Sequence, residues 1–147
     1  MMSHLRPDER SDPPAARLDA FHLSTAQDLT RLRYSVLHHS RALGFSPFDR
    51  TRIATAASEL GRNILTYAST GTALLEQLGE PPRGLRLVFA DQGPGISNLE
   101  QALEDGFSTG RGLGLGLGGT RRLVDHFDVQ TGPSGTQITI IKWRPEP

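Results

Sequence analysis

The sequence predicts an α/β protein built as a two-layer sandwich, with helices laid over a mostly antiparallel sheet. Three observations predict it. Two capped amphipathic stretches stand early in the chain, and two short alternating stretches joined by a Gly-Pro turn follow them. A glycine run then feeds a helix start, ahead of a second pair of strand-like stretches around Gly132–Gly135. Helices placed before and within such a set of strands bury their apolar stripe against one sheet face.

In chain order, residues 1–16 are polar, Pro-rich and without period, and read as a disordered leader. Arg17 to Leu23 reads as a short edge strand in which Leu18, Ala20 and His22 alternate with other residues. Ser24-Thr25-Ala26-Gln27 matches a capping box, and the helix it opens runs to about Leu43, with Leu29, Leu32, Val36, Leu37 and Leu43 near one face. Gly44 is its stop. Ser46-Pro47 restarts helix as N-cap and first-turn proline. Ile53, Ala57, Leu60, Ile64 and Ala68 then mark the buried face of a long helix, which Ser69-Thr70-Gly71 ends.

Thr72 to Leu78 and Gly84 to Ala90 read as strands around the turn Gly79–Arg83, with Leu85, Leu87 and Phe89 on one face. Asn98 to Asp105 reads as a short helix, Gly106 to Gly112 as a loop, and Gly119 to Phe127 as a helix carrying Leu123, Val124 and Phe127. Asp128 to Thr131 and Thr136 to Trp143 form the last two strands, and residues 144–147 are a tail.

Composition narrows the function classes. The 16 basic and 16 acidic residues of this 147-residue chain cancel, which argues against a nucleic-acid footprint. Cysteine is absent, so there is no disulfide framework and no thiol chemistry. No apolar run is long enough to span a membrane and no signal-peptide pattern opens the chain, so a cytoplasmic protein is expected.

The run from Ala90 to Asp125 is the stretch on which chemistry centres. Asp91-Gln92-Gly93-Pro94-Gly95 holds a carboxylate in a constrained turn, where it either caps its own turn or accepts from an exocyclic amine. Gly112-Leu113-Gly114-Leu115-Gly116-Leu117-Gly118-Gly119 runs into a helix. Such a run is a flexible linker or, feeding a helix start, a ring of N–H donors for an anion. Gly114-x-Gly116-x-x-Gly119 matches a dinucleotide fingerprint formally but fails its context, since no strand precedes it and Thr139 stands where an acid is required. A P-loop is excluded, because no lysine follows the last glycine.

Upstream, Glu59 and Asn63 share a helix face at i, i+4. They are a solvated face, or a carboxylate that activates a hydroxyl beside an amide oxygen that ligates Mg²⁺. Thr136 either starts a strand or reaches the base beside Asp91. Arg111, Arg121 and Arg122 are surface charges or phosphate contacts. The five histidines show no metal-ligand spacing.

Glu59-Leu60-Gly61-Arg62-Asn63, Asp91-Gln92-Gly93-Pro94-Gly95 and Gly112-Leu113-Gly114-Leu115-Gly116, in that order, are similar to the E-x-x-x-N, D-x-G-x-G and G-x-G-x-G motifs of the GHKL ATPase superfamily. Within it, residues 51–68, 91–96, 105–119 and 121–131 resemble the RsbT-type switch serine kinases of bacterial stress signalling, and the resemblance covers about residues 17–143. It implies a Bergerat-type α/β sandwich, a mixed sheet under helices, with ATP held between helix and lid. Carried over residue by residue, it implies Glu59 as general base, Asn63 as Mg²⁺ ligand and Asp91 as the adenine-reading acid. It likewise implies Gly93 and Gly95 as the turn beside Asp91, Gly112, Gly114 and Gly116 as the phosphate-side lid, and Thr136 as the threonine near the base. Two positions depart from the pattern: Thr66, where related chains often have a basic residue, and Gly118, where they often have proline and whose replacement implies a looser lid.

The activity implied is an ATP-dependent protein serine/threonine kinase that phosphorylates a small STAS-domain protein and then activates a downstream regulator such as a PP2C-type phosphatase. Two other readings stand beside it: an anti-sigma factor kinase that also binds a sigma factor, and a non-catalytic ATP-sensing module. A sensor histidine kinase fits less well, since a separate helical dimerisation domain with a phospho-acceptor histidine is not seen in the sequence.

Overall fold

The structure, a computed structural model, describes residues 13–104 and 116–146. Its elements are β1 (Ala15–Leu23), α1 (Ala26–Ala42), α2 (Pro47–Tyr67), β2 (Gly71–Leu78), β3 (Gly84–Asp91), α3 (Leu99–Ala102), α4 (Gly116–Arg121), β4 (His126–Gly132) and β5 (Gly135–Trp143). The five strands lie in the order β1-β2-β3-β5-β4, and β1 is the edge strand that its alternation predicts.

Every neighbouring pair of strands in this sheet is antiparallel. That corrects the mixed sheet. β3 and β4 do run in the same direction, joined through α3 and α4, but β5 inserts between them and pairs antiparallel with both. β1 also starts earlier than its alternation predicts, because Ala15 and Ala16 pair with Leu78 and Gln77. Of the expected leader, residues 1–12 lie outside the described residues.

The helical layer covers one sheet face. Leu85, Leu87 and Phe89 of β3 are buried together with Leu75, Ile138 and Ile140, and above them lie Ile53, Ala57, Leu60 and Ile64 of α2. Leu32 and Val36 bring α1 into the same core. On β2 and β3, Glu76 and Arg86 are direct cross-strand partners and form a 2.8 Å ion pair. Because the helical face is apolar and the pairing antiparallel, a one-residue slip would turn every core side chain outward, so the register is strongly specified.

The helix starts follow from local chemistry. At α2 the Ser46 hydroxyl accepts from the Asp49 N–H at 3.1 Å, with Pro47 in the first turn, as predicted. At α1 the capping box sits one residue further on than Ser24…Gln27: the N-cap is Thr25 and its partner is Asp28. The Asp28 carboxylate accepts from the Ser24 N–H, the Thr25 N–H and the Ser24 hydroxyl, and Arg31 pairs with it as well. A charged acceptor meeting several donors outcompetes the neutral Gln27 amide. Hydrogen bonds from the Ser24 N–H foremost, and from the Thr25 hydroxyl, the Thr25 N–H and the Ser24 hydroxyl, hold the Asp28 carboxyl down to about 2.

The other corrections are at element ends. α3 covers Leu99–Ala102, shorter than the expected 98–105. α4 begins at Gly116 and stops at Arg121, where a helix over Gly119–Phe127 was expected. The reason is strand capture: the Asp125 N–H donates to the Ile141 carbonyl, its carboxylate accepts from the Trp143 N–H, and Phe127 pairs with Ile140. The expected loop at 106–112 lies outside the described residues.

Candidate functional site

A cleft of about 430 Å³ opens between α2, the turn that follows β3, α3 and the start of α4. Its walls include Ile64, Ile96 and Leu117, and Phe89 and Ile138 of the sheet line it as well. Glu59, Asn63, Asp91, Gly95, Gly116 and Thr136 all line this one space. Residues from three separated stretches of sequence and from β5 therefore line one space. Gly112 and Gly114 lie outside the described residues, as does Arg111.

The end of the cleft at Asp91 is set by the sheet. Asp91 is the last residue of β3 and stands directly opposite Thr136 of β5. Its Oδ1 accepts from the Gly93 N–H at 2.9 Å. The carboxylate thus does cap its own turn, and it keeps a second oxygen to offer. Gly93 does not line the cleft; it holds the acid that does. Gly95 has φ +84°, and a Cβ there would run into the Gly132 carbonyl oxygen, so only glycine lets this turn rest on the β4–β5 hairpin.

Thr136 is itself held. Its hydroxyl lies 2.8 Å from that of Thr131, which accepts from the Ile96 N–H at 2.9 Å. Thr131 therefore ties the turn carrying Ile96 to the strand pair carrying Thr136. Sequence reasoning passed it over. The signal available was a threonine on each side of the Gly132–Gly135 turn, which become partners once that turn is read as a hairpin.

On the opposite wall, α2 presents Glu59 and Asn63 one turn apart. The Glu59 carboxylate is paired with Arg62 Nη1 at 2.5 Å. Arg62 and Tyr67 also line the cleft, and neither was singled out from the sequence. The i, i+3 spacing of Glu59 and Arg62 was a readable signal for the pair. Among the described residues, no group of three or more His, Cys, Asp or Glu side chains is placed to hold a metal ion. A divalent cation here would rely on few protein ligands and on oxygens that a ligand brings, the manner in which Mg²⁺ is commonly held.

Gly116 lines the cleft from the first turn of α4, so the last part of the glycine run is helix and not loop. Gly118 is buried within it, and a Cβ there would run into the Leu103 carbonyl oxygen. At this position the missing side chain serves a close crossing of α4 with the end of α3. Arg121 reaches the same Leu103 carbonyl at 3.5 Å, and the Arg122 carbonyl accepts from Arg52 at 2.9 Å. Neither arginine lines the cleft. No helix of the described residues is long and apolar enough to cross a membrane.

The family described as the histidine kinase-like ATPase domain matches residues 23–142. The chain is 42% identical over 123 residues to the serine/threonine-protein kinase RsbT of Bacillus subtilis (strain 168), across 82% of this chain and 92% of that protein. Among solved structures it is similar to the RsbU and RsbW domains of Rv1364c from Mycobacterium tuberculosis, with a TM-score of 0.62 at 16% identity. That likeness takes in 91% of this chain and 33% of the other, so the chain spans about a third of that structure, and it speaks to the fold alone. Matched by the family over most of its length, and by RsbT over most of both chains, the protein belongs to the histidine kinase-like ATPases of the GHKL superfamily.

Proposed function

We propose that the protein is a Mg²⁺- and ATP-dependent serine/threonine-protein kinase of a bacterial partner-switching module, acting in the cytoplasm on a small STAS-domain protein. The observation that carries the proposal is the convergence of Glu59, Asn63 and Asp91 on one cleft. The 42% identity to a serine/threonine-protein kinase supports the reaction class.

In this reading the adenine amine is received by Asp91, whose free choice of partner is limited by the Gly93 N–H already on Oδ1. A hydrogen bond to a charged acceptor contributes about 1.5–3 kcal/mol net, enough to prefer adenine over guanine. Thr136, fixed through Thr131, closes the polar end of the base site. Ile64, Ile96 and Leu117 supply apolar walls for the ring. The phosphates lie toward Gly116, which lines the cleft.

The Asn63 amide oxygen would be the protein's ligand to Mg²⁺. When bound, the cation would supply charge neutralisation for the transferring group. Glu59 accepts the proton of the acceptor Ser or Thr hydroxyl as its oxygen bonds to the γ-phosphorus. The bond from that phosphorus to the β–γ bridging oxygen breaks, and ADP leaves with the electron pair. Positioned general-base catalysis of this kind is worth roughly 10²–10⁴-fold. Release from the STAS partner then frees the kinase to bind a downstream regulator such as a PP2C-type phosphatase.

The test is incubation of the protein with γ-labelled MgATP and a STAS-domain protein from the same genome, with the acceptor residue identified by mass spectrometry. Label on a Ser or Thr of the STAS protein is the result expected. ATP bound but no label on any such protein points to the nucleotide-sensing module instead. Tight copurification of a sigma factor points to the anti-sigma factor kinase.

A further inference from the structure

The outward ridge of α2 carries more than the candidate base. Phe48, Arg52, Thr55, Glu59, Arg62 and Thr66 recur at i, i+4, i+7, i+11, i+14 and i+18, which places them on one face of the helix. The opposite face, with Ile53, Ala57, Leu60 and Ile64, is the one buried in the core. One end of the ridge enters the cleft, where Glu59, Arg62 and Thr66 line it. The other end lies outside the cleft and finishes in Phe48, whose ring is 69% exposed.

Phe48 is held in place. The Arg52 guanidinium sits over it, with Cζ 5.2 Å from the ring centroid. Arg52 Nη2 also donates to the Arg122 carbonyl at 2.9 Å, just past the end of α4. Arg52 is thus tied to the neighbouring element, and it ties the ring in turn. A single exposed apolar residue is ordinary on a protein surface. A ring stacked under an anchored arginine has less freedom to lose on binding, and aromatic residues and arginine are the types enriched where protein interfaces bury surface.

The occupant follows from the ridge that Phe48 shares with Glu59. A hydroxyl that reaches Glu59 on a folded protein brings the surface around it down onto α2. From Glu59 to Phe48 is ~16 Å along the helix axis. A standard interface covers about 800 Å² of each partner, a patch roughly 30 Å across, so it spans both residues. Away from Glu59 the charged residues of the ridge are Arg52 and Arg62, both positive. The surface that complements it is acidic and has an apolar depression for the ring.

We propose that Phe48, held by Arg52, is the docking anchor for the protein substrate, entering an apolar depression rimmed by carboxylates on the face that carries the acceptor Ser or Thr. The inference rests on reading the protein as a kinase of a STAS-domain protein, and binding measured apart from transfer separates the two.

The experiment takes the STAS-domain protein of the labelling assay through two readouts. One is KM and kcat for its phosphorylation. The other is its affinity for the protein loaded with a non-hydrolysable ATP analogue. F48A is expected to raise KM roughly tenfold or more at nearly constant kcat, and to weaken binding by a similar factor. R52Q is expected to raise KM severalfold, and R52E more than R52Q. Y34A removes a side chain 76% exposed on α1, off the ridge, and is expected to change neither readout. Affinity for ATP alone and the melting temperature are expected to match the wild type in F48A, since its ring lies outside both cleft and core. Wild-type KM and binding in F48A overturn the proposal and leave the kinase standing. Binding without transfer, weakened about tenfold by F48A, removes the kinase and leaves the anchor. Equal losses in F48A and Y34A overturn the anchor, as does a wild type that binds no STAS protein. A changed oligomeric state in F48A with KM unaltered overturns it too, and gives the ridge to a second copy of the chain.

Discussion

Asp91 and Thr136 face each other as paired residues across the β3–β5 ladder, so one end of the cleft is set by the backbone of the sheet. Thr131 extends that relationship outward, bonding to the Thr136 hydroxyl and accepting from the Ile96 N–H. Replacing Thr131 by valine keeps the shape and removes the acceptor, leaving the Ile96 N–H unmatched. T131V is expected to lower stability by about 1–3 kcal/mol and to weaken ATP binding with it. Urea denaturation beside nucleotide titration checks this, and unchanged values in both contradict it.

The Asp91 carboxylate is expected to select the base. In D91N the carboxylate is replaced by an amide that can present a donor or an acceptor. The ratio of ATP to GTP affinity is expected to fall roughly tenfold or more, the loss of one charge-assisted contact. Competition between the two nucleotides for one fluorescent analogue measures it. A preserved ratio shows that the base is read elsewhere.

Gly95 is held at φ +84° against the hairpin, where any side chain is strained. G95A is expected to cost about 1–3 kcal/mol locally. The turn lies on the cleft and outside the buried core, so nucleotide affinity is expected to fall more steeply than the melting temperature does. A melt shifted strongly with binding intact is the contrary result.

Asp28 ties acid stability to the start of α1. Its folded carboxyl is held down to about 2, against 3.8 for an unperturbed one, so the unfolded chain takes up the proton first. The stabilisation is therefore fully present above about pH 4 and drains away as pH falls toward 2. D28N is expected to melt below the wild type at neutral pH. The gap is expected to close between about pH 4 and 2, which thermal melts across that range will show.

Much of the fold was legible because local signals and tertiary demands agree. β2 and β3 lie within one residue of their expected ends, since the alternation of Leu85, Leu87 and Phe89 is also their burial pattern. α2 follows from Ser46-Pro47 and the stripe from Ile53 to Ile64, every member of which is buried. Legibility failed where two local readings were both satisfied. Ser24…Gln27 and Thr25…Asp28 each fit a capping box, and the number of donors reaching Asp28 decided between them. Leu123, Val124 and Phe127 fit a helix period, but pairing of β4 with β5 drew Phe127 into a strand.

The site divided in the same way. Glu59, Asn63, Asp91, Gly95, Gly116 and Thr136 were readable as residue types at particular spacings, and they meet in one cleft. Thr131 was not readable, because its role depends on the hairpin register and on a contact to Ile96 far away in sequence. The Glu59–Arg62 pair stands at i, i+3 within the same stretch, but its formation depends on the rotamers of two long side chains, which spacing alone does not set.

The measurement that bears most directly on the central claim is single-turnover phosphoryl transfer from MgATP by E59Q, with ATP affinity determined on the same sample. The cleft is expected to bind ATP at least as well in E59Q as in the wild type, while transfer falls by roughly 10²–10⁴-fold. Transfer at the wild-type rate with ATP bound would show that Glu59 takes no proton, and the assignment of chemistry to this cleft would have to be rebuilt around another group.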